Sequence, residues 1–238
     1  MKSKCSRTDV PVYPGASRAV LGNHKQQDVS QASVLERWDH SEKFPENKAV
    51  EFMRGIIESR PGEVTLLAIG PMTNVGLLFA TYPETAAQLK SLVLMCGGTN
   101  HYGWNAINDP VATAVVYQAP VLPHISIGLD GTMRCVLSGD RARAEIKGDV
   151  LDRVADMSSV WLRRTDRITF HDPLAAAVIF EPELCEYESG TVSVELKSDR
   201  LAGYALFDRG NPSESPHTVA VNVDVERFLD HYFRVVKG

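Results

Sequence analysis

With 238 residues, 44% of them hydrophobic and 23% charged, the chain has the composition of an ordinary globular protein, long enough to enclose a sizeable core in one domain spanning 1–238. A formal charge of -5 and a pI near 5.8 exclude a general nucleic-acid binder, because phosphate contacts call for a clustered excess of Lys and Arg. No stretch approaches the roughly 18 uninterrupted apolar residues of a membrane span. The opening MKSKCSRTDVPVY also lacks the apolar core of a signal peptide, so a cytoplasmic protein with small-molecule or protein partners and no membrane contact is expected.

Along the chain, short runs rich in Val, Ile and Leu alternate with helical patterns, the signature of a parallel sheet covered on both faces. Val10-Pro11-Val12-Tyr13 predicts a short opening strand, and residues 22–47 have no clear period and predict a loop. Asp28, Asp39, Glu42 and Glu46 in that loop are read as solvated charges. From 49 to 60, Val50, Met53, Ile56 and Ile57 share one helical face. Residues 63–69 (EVTLLAI) and 92–95 predict buried strands, each followed by a turn, GPMTN and CGGTN. In open α/β sheets ligands bind beyond the carboxyl ends of the strands, so both turns are candidate site loops, although Gly and Asn also serve plain turns.

Asp109-Pro110 predicts a helix start running to Tyr117, 121–129 a strand, and 149–167 a helix. In Phe170-His171-Asp172-Pro173, Asp172 reads as N-cap and Pro173 as first helical residue, which holds His171 at the helix mouth. A capped helix with an uninvolved histidine is the plain alternative. Residues 191–196, 204–208 and 217–224 alternate apolar and polar as half-exposed antiparallel strands do, and 225–237 closes with a helix packed through Phe228, Leu229, Tyr232 and Phe233. The fold class expected is α/β, an open, mostly parallel, Rossmann-like sheet with flanking helices and a short antiparallel extension near the C-terminus. Cys5, Cys96, Cys135 and Cys185 have no paired spacing and read as free thiols.

The ordered series GPMTN, LVLMCGG, WNAINDPVATAVVY, IGLD, FHDPLAAA and VAVNVDVERF resembles the inosine-uridine preferring nucleoside hydrolases, from Val10 to the C-terminus. The resemblance implies a calcium-dependent ribonucleoside N-glycosidase that yields free base and ribose. It places His171 as the acid that protonates the departing base, and Asp172 and the Thr73 carbonyl as Ca2+ ligands. Met95, Asn105 and Asn100 line the sugar pocket in this reading, and the assembly is a homo-oligomer. Such a reaction passes through an oxocarbenium-like state, so it needs base protonation, an activated water and a grip on the ribose hydroxyls.

Two departures accompany the likeness. The family's Asp-rich opening, DTDxGxDD, has no counterpart here, and the match begins at what reads as the third strand, so an N-terminal truncation of roughly 60 residues, two βα units, is expected. Without it one carboxylate would face a dication that takes about 6 to 8 oxygens. Gly103 stands where an acidic residue usually precedes the aromatic-Asn pair, here Trp104-Asn105. The alternative is therefore a catalytically inactive member that serves as a binding or interaction module, or a fragment without function.

Overall fold

The computed structural model describes residues 9–22, 25, 29–40, 43–44, 48–148 and 151–238. After a 3-10 helix at Ser30–Arg37, within the span expected as loop, the elements in chain order are α1 (Ala49–Ser59), β1 (Thr65–Ala68), α2 (Thr73–Thr81), β2 (Ser91–Leu94), α3 (Trp104–Asn108), α4 (Pro110–Gln118) and β3 (His124–Ser126). Next come α5 (Leu129–Thr132), β4 (Val136–Ser138), α6 (Gly139–Glu145), α7 (Leu151–Trp161), β5 (Arg167–Thr169) and α8 (His171–Ala177). The chain closes with β6 (Cys185–Val194), β7 (Ala205–Arg209), β8 (His217–Val223) and α9 (Val225–Lys237).

The main sheet has six strands in the order β1-β2-β3-β8-β6-β7. Neighbours from β1 to β8 run parallel, while β6 is antiparallel to both β8 and β7. The expected parallel sheet with a C-terminal antiparallel extension is thus present. β8 belongs to both parts, because Ile125 and Ser126 of β3 register with its Thr218 and Val219.

Alternation along β2 sets the two layers. Leu92 and Leu94 pack with Ile57, Leu78, Phe79, Val116 and Tyr117 on one face. Val93, and Met95 just beyond it, pack on the other with Ile127, Leu137, Leu174, Phe228 and Leu229. Side chains two apart share a face, so four successive apolar residues feed two cores. Each fully buried Leu or Phe contributes about 2 kcal/mol.

Several boundaries differ from the sequence reading. Residues 10–13 form no strand: Pro11 has no N–H for a ladder, and Val12 is 51% exposed. Within α1, Ile57 is buried while Ile56 faces outward. The strand expected over 121–129 is ordered as sheet only from His124 to Ser126, and Leu129 opens a short helix instead. The helix expected over 149–167 spans Leu151–Trp161, and Arg167–Thr169 pairs antiparallel with β4. Asp28, Glu42, Glu46 and Cys5 lie outside the described residues; Cys96, Cys135 and Cys185 are free and buried.

Candidate active site

A cavity of about 440 Å³ opens at the carboxyl ends of the first three strands. Ile69 and Pro71 follow β1, Met95 follows β2, and Leu129 lies just past β3. Trp104, Asn105 and Asn108 of α3 form a second side, Val29 a third, and His171 and Asp172 face in from the start of α8. This is the crevice where a parallel sheet exposes ligand-binding loops.

His171 is the first residue of α8, with Phe170 as N-cap, so Asp172 and Pro173 lie two positions deeper in the helix than expected. Pro is tolerated there because the first turn has no internal partner for its N–H, and an acidic residue in that turn suits the helix dipole. Phe170 is buried edge-on against Tyr232, at 5.0 Å between ring centres, and thereby fixes where the next residue projects. His171 Nδ1 lies 2.8 Å from Thr132 Oγ1, which leaves Nε2 as the other ring nitrogen. Burial holds the imidazole below its ordinary pKa. Asp172 is solvent-accessible, yet the protein around it pushes its carboxyl above the usual range.

Asn105 is buried and donates from Nδ2 to the Met95 carbonyl at 2.8 Å, which joins α3 to the end of β2. Its neighbour Trp104 is 50% exposed on the cavity wall. Gly103, the N-cap of α3, brings no carboxylate to this position.

The structure thus brings His171, Asp172, Met95 and Asn105 to one cavity and leaves two other candidates outside its lining. Thr73 starts α2, is 1% exposed, and donates its hydroxyl to Asp109 Oδ2 at 2.7 Å. Asn100 adopts a left-handed φ of 75°, its carbonyl accepts from the Tyr204 hydroxyl at 2.6 Å, and its Oδ1 faces the Phe207 N–H of β7. That conformation is one Asn tolerates better than most residues, so Asn100 acts as a turn residue.

Thr132, Asn108 and Leu129 carry no mark of a site residue in the sequence, where Leu129 reads as the end of a strand and Asp109 as a helix cap. The Asp109 carboxylate, fully buried, accepts from Ala112 N–H at 3.0 Å, Thr73 Oγ1–H at 2.7 Å and Val20 N–H at 2.8 Å. Asp130 accepts from the Thr99 N–H at 2.6 Å and lies 3.2 Å from His101 Nε2, which ties the turn after β2 to α5.

Among the described residues no group of three or more His, Cys, Asp or Glu is placed to hold a metal ion. Among the described residues Asp172 is the one carboxylate lining the cavity, against the about 6 to 8 oxygens calcium takes. The described residues do not fit a calcium site.

A family model, inosine-uridine preferring nucleoside hydrolase, matches residues 1–230. Uridine nucleosidase 1 of Arabidopsis thaliana is 29% identical over an alignment covering 94% of this chain and 74% of its own length. The pyrimidine-specific ribonucleoside hydrolase RihA of Shewanella woodyi is 32% identical; the alignment covers 76% of this chain and 64% of that protein, so the chain spans less than two thirds of it. The solved structure of a purine-preferring ribonucleoside hydrolase from Gardnerella vaginalis superposes with a TM-score of 0.83 over 98% of this chain and 81% of the other, at 24% identity, which establishes the shared fold.

Proposed function

The chain belongs to the inosine-uridine preferring nucleoside hydrolase family, and on that premise we propose that it splits ribonucleosides with water into free base and ribose. The observation that carries this reading is the convergence of Met95, Asn105, His171 and Asp172 on one cavity at the carboxyl edge of the sheet. In the reaction the glycosidic C–N bond breaks with its electron pair going to the base nitrogen. A water oxygen bonds to the anomeric carbon and releases a proton.

In this reading His171 faces the departing base through Nε2 while Thr132 holds Nδ1, and a proton delivered there neutralises the charge that develops on the leaving nitrogen. Asn105 and Met95 form the floor on which the ribose rests, and Asp172 accepts from a ribose hydroxyl. The half-exposed Trp104 offers a flat apolar surface at the mouth. Among the described residues one carboxylate lines the cavity and no group of three His, Cys, Asp or Glu is placed to hold calcium. The similar proteins are named for uridine, pyrimidine and purine substrates, so the proposal covers ribonucleosides as a class. A homo-oligomer in the cytoplasm belongs to the same proposal; no described helix is long and apolar enough to cross a membrane.

The test compares sugar release from inosine and uridine by the wild-type chain and by His171→Ala. A fall of roughly 100-fold or more, larger for inosine, supports the assignment, and an unchanged inosine rate removes it. That Asp172 is the one carboxylate lining the cavity among the described residues favours a second reading, a binding module that holds the ligand without turning it over. Ribose or inosine binding by calorimetry, with no base released from the same sample, selects that reading.

A further inference from the structure

Three side chains on the carboxyl edge hold a segment distant in sequence. Asn74 Oδ1 accepts from the Ala16 N–H, Asp109 Oδ2 from the Val20 N–H and Asn108 Oδ1 from the Lys25 N–H, each at 2.8 Å. The partners are 58, 89 and 83 residues apart, so none of these bonds is a local turn. All three acceptors stand at helix ends, Asn74 in the first turn of α2, Asn108 at the close of α3 and Asp109 as the cap of α4, and Asn108 lines the cavity.

Gly15 is a second, independent observation. A Cβ at this position would lie 2.4 Å from the Asn74 carboxamide, so an alanine here pushes that side-chain tip off its place against the Ala16 N–H. Its upstream end is fastened to α1, where Tyr13 stacks on Phe52 at 4.5 Å and the Pro14 carbonyl accepts from the Ala49 N–H at 3.2 Å. Asn108, which holds the Lys25 amide, itself lines the cavity. Because side chains rather than a sheet ladder bind these amides, the strap can part from the rim without breaking a strand.

We propose that Asn74, Asn108 and Asp109 are positioning residues, a polar latch that seats the strap carrying Ala16, Val20 and Lys25 on the cavity rim and so maintains the wall behind a bound nucleoside. The latch is read from geometry alone, while its effect on nucleoside affinity rests on the function proposed above. Gly15 and Asn74 do not line the cavity, so unseating the strap weakens binding of ground state and transition state alike, raising KM and leaving kcat in place.

The test uses the full chain and the variants Gly15→Ala, Asn74→Ala and Asn74→Asp, the last of which keeps an acceptor for the Ala16 amide. Amide hydrogen exchange at Ala16 and Val20 should quicken roughly five- to tenfold in the first two, the change one lost hydrogen bond allows, and return to the wild-type rate in Asn74→Asp. KM for inosine should rise by a similar factor in the first two and recover with the third, with kcat constant within about twofold. Unchanged exchange in Gly15→Ala and Asn74→Ala overturns the latch, and faster exchange with an unchanged KM overturns its role in the wall. If the wild-type chain releases no base, the function proposed above fails and the exchange data alone decide the latch.

Discussion

Thr132 and His171, 39 residues apart, meet at 2.8 Å between Oγ1 and Nδ1, and this contact orients the only imidazole that lines the cavity among the described residues. Thr132 is fully buried at the end of α5, so its hydroxyl has little freedom to turn elsewhere. Thr132→Val keeps the shape and removes the oxygen. It should lower kcat for inosine about five- to tenfold, and Thr132→Ser should restore it. Steady-state kinetics of the two variants check this, and a fully active Thr132→Val would remove the orienting role.

Acid should unfold the protein through His124 before most carboxylates titrate. His124 is 1% exposed, stacks on Tyr117 at 5.2 Å and meets His217 edge-on at 4.7 Å. Neither ring nitrogen has a hydrogen-bond partner among the described residues. Burial, reinforced by His217, pushes its pKa down to about 3. The folded state therefore keeps His124 neutral while the unfolded chain takes up a proton below about 6.5. The stability this neutral form carries is complete above pH 6.5 and is lost as pH falls from there toward 3, reaching roughly 3 kcal/mol by pH 4. His217, also lowered by burial, adds in the same direction. Melting curves from pH 8 to 4 should fall more steeply for the wild type than for His124→Phe, which retains the stack; parallel curves would contradict this.

The turns after β2 and β3 touch backbone to backbone at Gly128. A Cβ there would lie 2.4 Å from the Gly98 Cα and 2.5 Å from the Gly97 carbonyl oxygen, atoms that cannot swing aside as a side-chain tip can. Gly128→Ala should cost about 1–3 kcal/mol and lower the melting temperature by several degrees, read by calorimetry. Because Leu129 lines the cavity one residue later, ribose affinity should fall as well.

How far the fold could be read from residues depended on how local the cause was. β2 is legible in LVLM because a strand covered on both faces needs four apolar residues in a row. The place of β8 between β3 and β6 is not, because pairing His217 with Gly190 and Thr218 with Ile125 joins distant segments that carry no shared local mark. The α4 start was legible because Asp109 caps Ala112 three residues on. Its other bonds, to Thr73 and Val20, span 36 and 89 residues and leave no trace in spacing. Likewise His171, Asp172, Met95 and Asn105 stand within motifs, whereas a threonine at the end of a four-residue helix, Thr132, has no pattern to distinguish it. Thr73 and Asn100 stand in such motifs too; the Thr73 hydroxyl donates to Asp109 and the Asn100 Oδ1 faces β7.

The most direct measurement follows inosine and uridine by proton NMR in the presence of the purified, folded 238-residue chain. The account predicts ribose and free base appearing in equal amounts, at a rate proportional to protein and abolished or cut at least about 100-fold by His171→Ala. Nucleoside that remains intact, or products that form at the same rate with His171→Ala, would contradict it.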